Sequence, residues 1–223
     1  MVRILFLQNI LYEFPSTTQL SALLKQAGHE CEVLISTEEE SVLKEVEAYQ
    51  PHIVAFTCTT GAHHWPLKMA KSIKRKHPHV QTFFGGTHPT YFPEMIQEDG
   101  VDVICRGEGE SAFIEFVDGL EEGKVSPHIA NLWVKEGAQI VKNGLGPLLQ
   151  DLDALPTPDR EIYYRRYPFL RDEPRKSFST TRGCSYRCSF CFHSGLQPMT
   201  KGKGKYVRRR SVDRVLAEVA KAR

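Results

Sequence analysis

HIVAFTCTTGAHHWPLKMAKSIKRKHPHVQTFFGG, residues 52–86, decides the fold. It opens on HIVAFT (52–57), an apolar run of the kind a strand shows when it is covered on both faces. LKMAKSIKRK (67–76) then sets Leu67, Ala70 and Ile73 or Lys74 along one helical stripe. A second apolar run, VQTFFGG (80–86), comes at once after it. Strand, helix and strand in so short a span make the unit of a parallel sheet with right-handed crossovers.

The same alternation extends both ways. Upstream, RILFLQ (3–8) and ECEVLI (30–35) read as strands, and SALLKQAG (21–28) as the end of a helix closed by Gly28. SVLKEVEAY (41–49) carries Val42, Leu43, Val46 and Tyr49 on one face and is stopped by Pro51. Downstream come a helix around 91–98, the strand VDVICRG (101–107) and the helix ESAFIEFVDGLEEG (110–123). This predicts an α/β fold: a Rossmann/flavodoxin-like five-stranded parallel sheet in the order 2-1-3-4-5. NLWVKEGAQIVKNG (131–144) alternates about Glu136–Gly137 and predicts a β-hairpin. Prolines 147, 156, 158, 168 and 174 mark the next thirty residues as a linker that wraps and docks. The expected division is therefore 1–145, a linker over 146–175, and 176–223.

Composition supports two regions of different chemistry. The 223 residues are 41% apolar and 25% charged, ordinary for a folded chain, which excludes bulk disorder. No apolar run approaches the ~20 residues that span a bilayer. The opening MVRILFLQN lacks a signal peptide's apolar core and cleavage site, so the expected compartment is the cytoplasm, where thiols stay reduced. The net charge of +2 hides 12 Lys and Arg against 19 Asp and Glu in residues 1–150, and 17 against 8 in residues 151–223. Cys31, Cys58 and Cys105 are scattered, whereas Cys184, Cys188 and Cys191 are bunched.

Open parallel sheets bind ligands beyond the carboxyl ends of their strands. The residues expected there are Gln8 and Asn9, then Thr57, Thr59, Thr60, Gly61, His63 and His64. Gly85, Gly86, Thr87 and His88 follow the fourth strand, and Gly107, Glu108, Gly109 and Glu110 the fifth. Adjacent glycines directly after a strand let a large ligand approach the backbone, with Thr87 and His88 adding polar contacts. The plainer alternative is a tight turn, with the glutamates complementing a helix dipole. Neither G-x-G-x-x-G nor G-x-x-x-x-G-K-[ST] is present, and an acidic region argues against a polyanion as its ligand.

The strongest motif is Cys184-Ser-Tyr-Arg-Cys188-Ser-Phe-Cys191, just after the apparent strand KSFSTTRG (176–183). Three thiolates over eight residues, beside Arg182 and Arg187, can converge on one soft metal centre. A four-iron cluster held by three cysteines keeps one iron open, as a catalytic metal site requires. A Cys3His zinc site with His193 is the competing donor set, but zinc explains neither the preceding strand nor the aromatic Phe190.

C-x3-C-x2-C after a first strand, with an aromatic before the last cysteine, resembles the radical S-adenosylmethionine enzymes. The resemblance implies that Cys184, Cys188 and Cys191 bind a 4Fe–4S cluster whose fourth iron chelates S-adenosylmethionine, with Phe190 near the adenine. In that family one electron from the cluster yields a 5′-deoxyadenosyl radical. The five-stranded region with GGTHPT, then VDVICRGEGE, then Leu152–Pro158 is similar to the cobalamin-binding group of these enzymes. This implies a corrinoid on the carboxyl ends of the sheet with its nucleotide tail among the strands. D-x-H-x-x-G, which supplies a histidine to cobalt elsewhere, is absent. A corrinoid lying flat there sets its lower face against residues 57–64, bringing His63 or His64 towards cobalt. SVDRVLAEVAKAR (211–223) fits the first helix of a TIM-like barrel, so the chain reads as a cobalamin domain plus the first βα unit, a fragment.

The resemblance implies methyl transfer to an unactivated carbon or phosphorus centre of a small molecule, with reducing equivalents from a flavodoxin or ferredoxin. The fragment itself is expected to be inactive. A methylthiotransferase acting on tRNA or protein is the rival, prompted by the basic stretch Lys201–Arg210. It needs a second cysteine triad at strand ends, which Cys31 and Cys105 do not provide, so nucleic acid is not the expected partner. A corrinoid carrier or sensor, the third reading, has no need of the cluster motif.

Overall fold

A computed structural model of the chain describes residues 1–222, which divide into two compact units. One comprises Met1–Tyr12 with Leu24–Leu145, the other Glu13–Leu23 with the described residues from Gly146 onward.

The first unit is built on β1 (Arg3–Gln8), β2 (Glu30–Ile35), β3 (Ile53–Thr57), β4 (Gln81–Gly85) and β5 (Val103–Cys105), all parallel in the order β2-β1-β3-β4-β5. That is the order expected. Successive strand residues bury on opposite faces, which is why the central run Ile53–Phe56 is apolar throughout. On one face Leu5, Val54, Phe56 and Phe84 meet Val42 and Val46 of α2 (Val42–Tyr49) and Ala70 and Ile73 of α3 (His64–Lys76), with Phe56 stacked on Phe84 at 4.8 Å. On the other, Phe113 of α5 (Glu110–Glu121) packs edge-on to Phe6 and stacks on Phe83 at 4.1 Å. The hairpin of β6 (Leu132–Glu136) and β7 (Gln139–Lys142) forms as expected, but it also joins the sheet, β6 pairing antiparallel with β5. Alternation within the hairpin carries no signal for that partner.

The helix expected around 91–98 lies earlier and is broken. α4 (Thr87–Tyr91) begins directly after Gly86, and a separate 3₁₀ turn covers Pro93–Gln97. Pro89 falls in the first turn of α4, where a missing N–H is tolerated. The amide of Phe92 closes the helix by donating to His88 O (2.8 Å). The expected loop after β4 is therefore only Gly86, with Gly85 closing the strand and Thr87 and His88 already helical.

The second unit begins at Glu13 and takes in most of α1 (Pro15–Gln26), whose final residues belong to the first. Ser21 Oγ donates to Asp159 (2.6 Å), Asp159 N–H donates to Thr18 O (2.9 Å), and Phe14 N–H donates to the buried Tyr163 hydroxyl (3.2 Å). Residues 146–175 contain α6 (Glu161–Tyr164) and a 3₁₀ turn at Pro168–Leu170, with Leu152, Leu155, Ile162, Tyr167 and Leu170 buried. The strand expected over 176–183 is laddered only as β8 (Thr181–Arg182), paired antiparallel with β9 (Arg208–Arg209). α7 (His193–Met199) and α8 (Val212–Lys221) complete the unit, α8 with Ser211 Oγ accepting from the Arg214 amide. Among the described residues no helix is long and apolar enough to cross a membrane.

Candidate cofactor sites

The carboxyl end of the sheet is a set of loops tied to one another. Beyond β3 the Cys58 amide donates to Gly85 O (2.7 Å), and the His88 amide donates to Cys58 O (3.0 Å). Thr90 Oγ1 donates to Gly86 O (2.7 Å) and accepts from the Gly107 amide (3.0 Å). Asn131 Nδ2 donates to Glu108 O (2.8 Å), while Asn131 O accepts from the Arg106 amide (2.9 Å). The loops after β3, β4 and β5 thus form one surface. Cys58, Thr90, Arg106 and Asn131, which tie them, carry no motif that would have singled them out.

The two glycines at the end of β4 do different work. Gly86, at φ +105°, lies on the backbone of Cys58, and a Cβ there would meet Cys58 O at 2.5 Å. It seals one loop to the next rather than opening a path to ligand. Gly85 and Gly61 have nothing within 4 Å of a Cβ, so the open positions are theirs. Thr59 and Thr60 are exposed and Thr57 half-buried. Gly107, Glu108, Gly109 and Glu110 are half-buried, and a Cβ on Gly109 would crowd Cys105 Sγ at 3.3 Å. Gln8 is turned to its own loop, donating from Nε2 to Ile10 O (2.6 Å) and Tyr12 O (2.7 Å), with Asn9 half-buried beside it.

Three rings, His63, His88 and Phe92, are stacked at the same end, with His64 tilted against the first. His63 lies 3.8 Å from His88 at 12° and 4.1 Å from His64, and His88 stacks on Phe92 at 5.1 Å. Thr60 Oγ1 bonds His88 Nδ1 (3.2 Å), whereas His63 Nδ1 is buried without a hydrogen-bond partner. Desolvation, then the neighbouring imidazoles, hold His63 and His88 below the ordinary histidine range. Both are neutral at pH 7. Burial pushes the Cys58 and Cys105 thiols up to about 12, which suits structural thiols and not ligands. An open backbone at Gly61 and Gly85, threonine hydroxyls and uncharged imidazoles fit a large, largely neutral ligand such as a corrinoid.

Cys184, Cys188 and Cys191 lie on the loop between β8 and α7, all free, with Cys188 exposed and the others half-buried. At the base of the loop Gly183, at φ +80°, sits so close to Tyr206 O that no Cβ fits. Cys188 O accepts from the Cys191 amide (3.1 Å) and from Ser194 Oγ, which turns the chain between the last two thiols. Phe190 is 91% exposed on this loop. Among the described residues no three His, Cys, Asp or Glu side chains gather as a metal-binding group, so the loop brings the thiols near in sequence without converging them. His193 Nδ1 is bonded to the Tyr206 hydroxyl (2.5 Å), which leaves the zinc reading without its fourth donor at that nitrogen. The donor set, three free and accessible thiols on one loop, fits a soft iron centre.

Residues 16–117 match the family described as the B12 binding domain. An uncharacterized methyltransferase of Pyrococcus horikoshii is 31% identical over 205 residues, 89% of this chain and 43% of that protein. The anaerobic magnesium-protoporphyrin IX monomethyl ester cyclase of Rubrivivax gelatinosus is 26% identical over 185 residues, covering 77% of this chain and 33% of that one. Among solved structures, the cobalamin-dependent S-adenosylmethionine radical enzyme OxsB with aqua-cobalamin bound superposes at a TM-score of 0.76. It is 20% identical, over 99% of this chain and 31% of that one, and so shares the fold. The chain spans less than half the length of each.

Proposed function

We propose that this chain, whose residues 16–117 match the B12 binding domain, belongs to the cobalamin-binding radical S-adenosylmethionine group, and that the whole protein is a cobalamin-dependent methyltransferase. Its substrate would be a small molecule accepting a methyl group at an unactivated carbon or phosphorus centre. One observation carries the reading: a single chain joins the B12-binding match at 16–117 to the C-x3-C-x2-C loop at 184–191. A carrier or sensor has no use for three accessible thiols. A methylthiotransferase needs a second triad, and Cys31, Cys58 and Cys105 are each buried on a different strand or loop.

When bound, the cluster with S-adenosylmethionine supplies one-electron activation and the corrinoid supplies the methyl group. Cys184, Cys188 and Cys191 would hold the iron, with Phe190 beside the adenine. Gly61 and Gly85 would leave room for the macrocycle, and Thr57, Thr59 and Thr60 would bond its amide periphery. The Thr60–His88 bond fixes one imidazole of the stack, and His63 and His88, both held below the ordinary histidine range, would add no fixed charge to the surface. The expected electron donor is a flavodoxin or ferredoxin, and the expected compartment the cytoplasm. The match to a cyclase favours a second reading, ring formation on a small molecule with the same two cofactors.

Anaerobic reconstitution with hydroxocobalamin, iron and sulfide, followed by metal analysis, tests the proposal. Iron and cobalt bound together is the expected result. Iron without cobalt removes the cobalamin half, and cobalt without iron leaves the carrier reading.

A further inference from the structure

The approach to the cysteine loop is not held as a sheet strand normally is. Only Thr181 and Arg182 are laddered, yet the carbonyls just before them are satisfied. Arg160 Nη2 donates to Ser177 O (2.5 Å) and Arg210 Nη1 donates to Ser179 O (3.2 Å), while the Arg210 amide donates to Thr180 O (2.9 Å). Both guanidiniums end on one carboxylate. Arg160 reaches Glu218 Oε1 (3.3 Å) and Arg210 reaches Oε2. Glu218 is 4% exposed, although it belongs to a helix whose Val212 and Leu216 face solvent. Glu13 takes the other arm of Arg160 (2.9 Å) and lies 3.6 Å from Lys176 Nζ. A buried carboxylate of this kind is seldom kept for stability alone, because desolvation offsets most of its attraction.

We infer that Glu218 is a positioning residue for the three cysteines: by gripping Arg160 and Arg210 together it fixes segment 177–180, and with it the base of the Cys184–Cys191 loop. It touches no reacting atom. The inference rests on the proposed cluster for its consequence, but its geometry belongs to the protein alone. Removing the charge frees the Arg210 fork and leaves Arg160 held by Glu13 alone, so the carbonyl of Ser179 loses its fixed donor and that of Ser177 is held less firmly.

The test uses this chain with Glu218→Gln, Arg210→Lys, and Glu161→Gln as a control, since Glu161 forms an exposed pair with Arg171. Hydrogen exchange over residues 177–184 is expected to quicken about tenfold in Glu218→Gln and less in Arg210→Lys, with the control unchanged. In reconstituted protein, iron is expected to leave to a chelator several-fold faster, with a broadened electron paramagnetic resonance signal. Should Glu218→Gln fail to fold, Arg210→Lys, which keeps the ion pair, carries the test. Unchanged exchange over 177–184 in the folded variants overturns the inference. Faster exchange in a chain that takes up no iron even as wild type instead overturns the cluster reading and leaves the positioning intact.

Discussion

The two units hold their functional loops by opposite means. At the carboxyl end of the sheet, the loops after β3, β4 and β5 are bound by short-range polar links: Cys58 to Gly85 and His88, Thr90 to Gly86 and Gly107, Asn131 to Glu108. Beneath them lies an apolar sheet buried on both faces. Around the cysteine loop the ties are side-chain charges, with Arg160 and Arg210 meeting Glu218 across 58 and 8 positions of sequence. A clamp of backbone amides and neutral side chains holds as long as the fold does and is indifferent to salt. A charge clamp can fail locally while the rest of the unit stands.

The sharpest break between the units is expected from Cys188→Ala, which should abolish 4Fe–4S absorbance after reconstitution while hydroxocobalamin binding persists. Loss of both cofactors would mean that the two sites are not independent. Next comes the glycine pair. Gly86→Ala forces a Cβ onto Cys58 O at positive φ and should destabilise the sheet unit by about 3 kcal/mol, read as a lower melting temperature. Gly85→Ala meets nothing within 4 Å and should leave the melt unchanged while weakening retention of hydroxocobalamin on desalting. Equal melts for both variants would show that the loops are not sealed at Gly86.

The smallest effect is that of pH. His63 and His88 are held below the ordinary histidine value in the folded state, so on acidification the unfolded chain takes up their protons first. Their contribution is present above about pH 6.5 and is lost as pH falls through the lower folded values. Between pH 7.5 and 5.5 the melting temperature should therefore fall by more in the wild type than in a His63→Gln, His88→Gln double variant. Equal slopes would show that the stacked imidazoles do not resist protonation.

Legibility from sequence divides along the same line. Ile53–Thr57 and Gln81–Gly85 are legible because central strands buried on both faces carry consecutive apolar residues, Ile53–Phe56 and Phe83–Phe84. Gly137 marks the hairpin because its turn demands positive φ. The attachment of that hairpin to β5 is a long-range pairing with no local mark, and α4 is hidden by Gly-Thr-His-Pro, which reads as loop until Pro89 is seen to fall in a first turn. The motif names the three cysteines, but not what supports them. Glu13 and Arg160 stand 147 positions apart, and nothing in either residue's neighbourhood signals the other. Gln8 and Gly86, by sequence, should face ligand; one shapes its own loop and the other seals two together, roles that depend on atoms a few ångströms away and not on residue type.

The hairpin has one further effect. Without it β5, the apolar Val103–Cys105, would end the sheet with its backbone groups unpaired, a template for another molecule's strand. With β6 and β7 added, the outermost strand is instead Gln139–Lys142, whose Gln139 and Lys142 lie in solvent, and the opposite border is β2, with exposed Glu30 and Glu32. Both margins carry charge where a neighbouring copy would have to dock. Cutting a recombinant module at residue 125 instead of 145 would expose the apolar margin and turn a dispersed protein into one prone to precipitate through strand-to-strand association.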